Sequence, residues 1–388
     1  MKEGWEYKKL GDVANFISGY TPNKEEISNQ GKYPYFKVAE MNIAGNELFM
    51  RNTSLFVNSP KRIYPKGSII FPKNGGAIYT EKKRILEVDS VIDLNTEALF
   101  PTAQVELMYL FFLLTFTKIS SFDKGGGLPS LDIKKMSESI IPVPPLSEQQ
   151  SIVDYLNSVF AKIDAMKANA EKALNEAKAL FLASLKEMLE PKEGWEEKAL
   201  KDFAIDMYRG SGVKRDQVTE DGIPCVRYGE IYTKYNYHFN ECDSHTLAEY
   251  VNSPKYFEYG DILFAITGES VEDIGKSIAY TGKDKCIAGG DMVVMKHSYE
   301  PRYISYALST PSAIKQKGHG KTKLKVVHTN IPSLKEIIIP IAPIGDQKHI
   351  ADTLDSLKSK VDKLQENYDK ISQECDALKQ AILRQVFE

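Results

Sequence analysis

From Ile152 onward the apolar positions advance by alternating steps of four and three: Ile152, Leu156, Val159, Ile163, Met166, Ala170, Ala173, Ala177 and Leu180. A mean period of about 3.5 residues is that of a helix seam packed against another helix. Ser147-Glu148-Gln149-Gln150 reads as a capping box that starts this helix at Ser147 with the Gln150 side chain folded back, and Pro191 stops it. The same ladder returns 198 residues later as Ile350, Leu354, Leu357, Val361, Leu364, Tyr368, Ile371, Cys375, Leu378 and Ile382. Between these helices the pattern is one of short apolar runs bounded by Gly, Pro and Asn, which predicts strands. The chain is therefore read as mixed α and β (α+β), in the order globular domain 1–146, long helix 147–190, globular domain 191–344, long helix 345–388.

The globular parts repeat as well. Lys2-Glu3-Gly4-Trp5-Glu6 recurs as Lys192-Glu193-Gly194-Trp195-Glu196, and the stretch from Pro34 to Glu40 is echoed from Pro224 to Glu230. Gly67-Ser68-Ile69-Ile70-Phe71 aligns with Gly260-Asp261-Ile262-Leu263-Phe264, and Ile141-Pro142-Val143-Pro144-Pro145 with Ile339-Pro340-Ile341-Ala342-Pro343. The offset grows from 190 to 198 along the way, so the halves share a frame and differ in their loops. Two like domains each followed by a like helix predict a pseudo-twofold molecule in which the helices pair as an antiparallel coiled coil separating the domains. Small residues then face large ones if Met166 opposes Tyr368, which sets Ala170, Ala173 and Ala177 against Leu364, Val361 and Leu357.

Composition narrows the function. The formal net charge is −3, which by itself does not suggest a nucleic-acid binder, but the acidic surplus lies largely in the helices: 147–190 and 345–388 each carry −2, whereas 1–146 carries 18 basic and 16 acidic residues. No long apolar run and no basic-then-apolar leader is present, so a cytoplasmic protein without a membrane partner is expected. Cys225, Cys242, Cys286 and Cys375 form no CxxC pair and are read as reduced thiols. Gly275-Lys276-Ser277 and Gly320-Lys321-Thr322 lack the upstream glycine of a phosphate loop, and no methylase, nuclease or metalloprotease motif occurs. A non-catalytic chain is expected. His238, Cys242 and His245 have metal-like spacing, but their tyrosine-rich surroundings favour a structural role and no metal.

Binding chemistry is better represented. Lys315, Lys317, His319, Lys321, Lys323 and Lys325 fall in an acid-free run punctuated by Gly318 and Gly320, which reads as a basic loop for phosphates. The first half has Lys118, Lys124 and Gly125-Gly126-Gly127 at that place. A second group, Lys73, Asn74, Gly75 and Gly76 with Lys82, Lys83 and Arg84, corresponds to Thr267, Gly268, Glu269, Ser270 and Lys276. Arg227 and Tyr228 complete the set of candidate DNA-binding residues. Amide, hydroxyl, carboxylate and cationic side chains beside glycines suit base-edge readout, because each meets a different groove pattern.

With the repeat and both ladders assembled, the chain resembles the specificity subunit of a type I restriction-modification system over its whole length. The carriers are Gly4-Trp5, Gly194-Trp195, Gly67, Gly260-Asp261-Ile262 and the run Ile141-Pro142-Val143-Pro144-Pro145-Leu146-Ser147-Glu148-Gln149, with a second copy that departs to Ile339-Pro340-Ile341-Ala342-Pro343-Ile344-Gly345-Asp346-Gln347. The resemblance implies two target recognition domains, each reading half of a bipartite, asymmetric site on double-stranded DNA. It also implies two methyltransferase subunits with S-adenosylmethionine, and restriction subunits using ATP and Mg, with no cofactor on this chain. An apolar stripe one residue beyond the first ladder, Val153, Phe160, Leu174, Phe181 and Met188, is wider than a two-helix seam requires and is read as a methyltransferase dock, the alternative being packing on its own domain. Two other readings remain open at this stage: a recognition module for another class of restriction-modification enzyme, and a coiled-coil interaction scaffold that does not read DNA.

Overall fold

The computed structural model describes residues 4–268, 274–318 and 327–388. The chain divides into two compact units, 1–170 with 369–388, and 171–368. Both are mixed α and β, and both are built on one plan. In the first, a five-stranded sheet runs in the order Ala14–Ser18, Thr96–Pro101, Ile69–Pro72, Arg84–Leu86, Phe49–Met50. In the second the order is Asp206–Arg209, Met292–Lys296, Ile262–Ala265, Ser277–Tyr280, His238–Phe239. All pairs are antiparallel except the last of each sheet, which is parallel in both. A further sheet in each unit and a two-stranded ribbon, Glu6–Lys9 with Ile140–Val143 and Glu196–Ala199 with Ile338–Ile341, repeat as well.

Backbone geometry explains the repeated glycines. Gly67 and Gly260 precede the central strand at φ +84° and +94°. That left-handed conformation suits glycine and strains residues bearing a Cβ. The strands that follow, Ile69–Pro72 and Ile262–Ala265, are buried at every position, as expected for the middle of a sheet covered on both faces.

The long helices are Leu146–Met188 and Ile344–Phe387. The capping box is not formed as the sequence suggested. The helix begins at Leu146, the Pro145 carbonyl accepts from the backbone N–H groups of Glu148 and Gln149, and Gln150 points forward to Asp154 at 2.9 Å. Gln149 turns inward instead. It is fully buried, donates to the carbonyls of Pro144 (2.8 Å) and Gln104 (3.0 Å), and accepts the backbone N–H of Glu106. Gln347 repeats this at the second helix, donating to Ala342 and accepting from Glu300.

Within each unit the helices pair antiparallel. In the first unit Asp164 meets Lys379 at 2.5 Å and Lys167 meets Asp376 at 3.6 Å, while in the second Lys178 meets Gln365 at 2.7 Å. The expected register is corrected. Opposing Met166 to Tyr368 sets Ile163 against Ile371, but the Cys375 thiol packs on the Ile163 carbonyl at 3.8 Å. Met166 and Leu180, assigned to the seam, are both 60% exposed.

The cause lies in the stripe beside the ladder. Val153 and Phe181 belong to the cores of the first and second units, Phe160 and Met188 pack at the edges of those cores, and Leu174 is 3% exposed. Phe160 meets Phe112 edge-on at 5.6 Å, and Phe181 packs edge-on against the paired rings of Tyr237 and Tyr306. Adjacent residues stand about 100° apart around a helix, so turning the stripe onto the domain cores turns Met166 and Leu180 out to water. The stripe read as a methyltransferase dock is therefore interior surface of this chain. Burying a side chain the size of Phe181 contributes roughly 2–3 kcal/mol, which outweighs the exposure of one seam position.

His238 serves the second unit as a structural group. Its Nε2 lies 2.8 Å from Asp355, which also accepts from Tyr306 and Arg302 at 2.6 Å each. Burial raises the Asp355 carboxyl, but these partners more than offset it and hold the group down at about 2. Cys225, Cys242, Cys286 and Cys375 are free thiols, and among the described residues no group of three His, Cys, Asp or Glu could hold a metal. Among those residues, too, no helix is long and apolar enough to cross a membrane.

Candidate nucleic-acid interface

In the first unit the sheet delivers two loops to one place. Lys73 leaves the strand Ile69–Pro72, its carbonyl accepts the Leu131 N–H, Asn74 bridges Ser130, and Gly75 donates to the Pro129 carbonyl at 2.8 Å. The loop of Asn74, Gly75 and Gly76 is thus zipped to the loop of Lys124 and Gly125-Gly126-Gly127, and the structure brings these sequence candidates together. Their roles differ. Lys73 is spent on the buried Glu97 carboxylate at 3.0 Å, whereas Asn74 makes a long contact to Asn95 and Lys124 extends into solvent.

The following basic group splits. Lys82 is half-buried and donates to the Asn42 side chain. Lys83 is 4% exposed and ion-paired with Glu81 at 3.0 Å; burial lowers its pKa, a shift that Glu81 partly offsets. Glu81 sits at φ +53° and accepts the N–H groups of Ile119 and Ser120, so Lys83 neutralises a structural carboxylate and is not placed to touch a phosphate. Arg84 is half-buried against the carbonyls of Lys83 and Met41.

In the second unit Arg227, Tyr228, Thr267 and Lys276 gather around the short helix Tyr228–Thr233. Tyr232 donates to the Thr267 carbonyl at 3.0 Å, Lys276 donates to the carbonyls of Tyr235 (3.0 Å) and Tyr232 (3.4 Å), and the Thr267 hydroxyl meets His328 at 3.1 Å. Tyr228 is 40% exposed, and the Arg227 guanidinium reaches over the buried Glu230 at 3.9 Å. Lys317 is corrected. It ends the helix Pro311–Lys317 with its ammonium buried, 2.9 Å from the Ser277 hydroxyl and over the Phe264 ring, and burial lowers its pKa to about 7. A lysine in that position packs the unit and does not meet phosphate. Glu269, Ser270, His319, Lys321 and Lys323 lie outside the described residues.

Two groups escaped sequence reasoning. Lys37 caps a short turn through Glu40 in the same way that Arg227 does through Glu230, and the repeat that aligns the two could have pointed to it. Tyr79 is 57% exposed beside the zipped loops, held by a 2.5 Å hydrogen bond to Asp123; no pattern in the sequence marks it. Together these side chains offer amide, phenol, hydroxyl and cationic groups on glycine-bearing loops carried by rigid sheets, which is the equipment for reading base edges and steadying phosphates.

Comparison with known proteins gives a concordant result. A family model described as the type I restriction modification DNA specificity domain matches residues 2–176 and again 192–373. The MjaVIII specificity subunit of Methanocaldococcus jannaschii, a type I restriction enzyme component, is 25% identical over 397 residues, covering 93% of this chain and 88% of that protein. The EcoKI specificity subunit of Escherichia coli is 23% identical, covering 100% and 89%. Among solved structures, a chain from work on complex assembly and conformational transition of the type I R-M system is similar in fold with TM-score 0.75 at 17% identity, covering 100% of this chain and 98% of that one. The HsdS subunit from Thermoanaerobacter tengcongensis gives TM-score 0.56 at 18% identity, covering 100% and 97%.

Proposed function

Since the chain belongs to the type I restriction modification DNA specificity family, we propose that each unit reads one half of a bipartite double-stranded DNA site and that the two long helices set the spacing between the halves. The observation that carries this reading is the duplication itself: one strand order and one helix-entry glutamine occur twice, while the loops at the reading edge differ in length and chemistry. Identical frames with unlike loops suit two unlike half-sites. Asn74, Lys82, Lys124, Tyr228, Thr267, Arg227 and Lys276 are the described residues best placed to take part.

The chain is a DNA-recognition component that assembles with other subunits. The finer reading is that two methyltransferase subunits supply S-adenosylmethionine chemistry and restriction subunits supply ATP and Mg, all in the cytoplasm, with this chain holding none of those groups. Replacing residues 10–140 by the matching segment of another specificity subunit, followed by methylation mapping, tests the division of labour. One half-site should change and the other persist. A change in both would overturn the assignment of one half-site to each unit.

A further inference from the structure

Among the described residues, the most exposed large apolar side chain is Leu128, at 86%. It stands at the tip of the loop from Asp123 to Leu131, whose base is rigid. Lys124 donates to the Ser130 carbonyl at 2.9 Å, Asp123 and Leu131 form an antiparallel bridge, and the Asp123 carboxylate takes the N–H of Ser130 at 3.0 Å. Pro129 follows Leu128 and holds it extended, away from the turn. Gly125 at φ +71° begins three glycines around which an added Cβ would meet nothing within 4 Å. The result is a narrow arm with open space on its flanks and a branched apolar tip.

Its surroundings say what the tip meets. Residues 124–131 contain no acid, the Asp123 carboxylate at the base is occupied by Tyr79 and the Ser130 amide, and the arm is bonded to the Asn74 and Gly75 loop already assigned to DNA. A protein partner of ordinary size would need on the order of 800 Å² from this face, which one leucine between glycines and a lysine does not supply. A base step needs one apolar side chain, and leucine is among the residues that enter such steps and part the bases.

We propose that Leu128 is an unstacking wedge that inserts at a base step of the half-site read by the first unit, a role that rests on the DNA-reading assignment above. Insertion removes the side chain from water, opens the stack and bends the duplex, so the sequence at that step is selected by how easily it unstacks. Lys124 beside it steadies the backbone of the opened step.

The test uses the full chain with the subunits that copurify with it, bound to duplexes carrying its methylation site with 2-aminopurine placed in turn at each position of the first half-site. Fluorescence should rise at one step. Leu128→Ala should abolish that rise and weaken specific binding about tenfold without altering the salt slope, and Leu128→Met should restore both. A wild-type complex that binds its site with a normal salt slope but shows no rise at any position overturns the wedge and leaves DNA reading intact. Failure of the wild-type complex to prefer its site would instead overturn the reading on which the wedge rests. Loss of copurifying subunits from Leu128→Ala would make the residue a protein contact and also overturn the wedge.

Discussion

Gln149 Oε1 accepts the backbone N–H of Glu106 at 2.8 Å, so the first turn of the long helix caps the start of the helix Leu107–Thr117 across the core of its unit. The Glu106 side chain in turn accepts the Tyr109 N–H at 2.6 Å, which places two capping oxygens at one helix start. Gln347 and Glu300 repeat the relation at 3.1 Å in the second unit. The glutamine of the helix-entry motif is therefore a buried splice between recognition domain and spacer helix.

Gln149→Leu strands one N–H and two carbonyls around a fully buried side chain. Each unsatisfied buried group costs about 1–3 kcal/mol, so the first unit should lose on the order of 3 kcal/mol. Urea unfolding followed by Trp5 fluorescence in a Trp195→Phe background reads that unit, and a midpoint within error of the parent would refute the splice.

Phe181→Ala removes a ring packed against both Tyr237 and Tyr306. The second unit should lose about 3 kcal/mol or more, read by Trp195 in a Trp5→Phe background. Retention of partner subunits should be unchanged under conditions where the variant is folded. Normal stability with lost copurification would restore the docking role that burial argues against.

These two residues mark the limit of sequence reading. The repeat was legible because Gly-Trp pairs and proline runs recur in fixed order, and the helices because their ladders persist over many turns. The rotation of the helices was not legible. Ladder and stripe differ by one residue, and periodicity alone does not say which of two neighbouring faces meets the partner helix and which the domain. Lys83 and Lys317 were misread for a related reason: both sit in basic runs that look solvated, and only tertiary contacts with Glu81 and Ser277 reveal that they are interior. Asn74, Lys124 and Thr267 became candidates because glycine-bearing loops at equivalent places are visible in the repeat.

Lys317 makes a pH prediction. Its folded pKa of about 7 lies below the value of about 10.4 for an exposed lysine, so the unfolded chain binds more protons between those limits. Stability of the second unit should rise as pH increases from about 7 toward about 10, and Lys317→Met should remove that rise. The same variant should leave the salt slope of DNA binding untouched, whereas Lys124→Ala should reduce it by about one. A Lys317→Met slope reduced by one would return this lysine to the phosphate interface.

The spacer role of the helices is tested by length. Four residues inserted after Met166 extend the first long helix by about 6 Å, close to two base pairs of duplex rise. The insertion adds a stutter to the ladder, so the second helix needs a matching four after Cys375, on the opposing turn where Cys375 meets Ile163 and Asp376 meets Lys167. Matching at Tyr368, as the sequence register suggests, would leave the seam out of step and should destabilise the protein. The correctly matched double insertion should fold, retain its partners and methylate sites whose halves stand farther apart. Methylation at the original spacing by that stable, partner-bound variant would show that the helices join the two readers without measuring the distance between their targets.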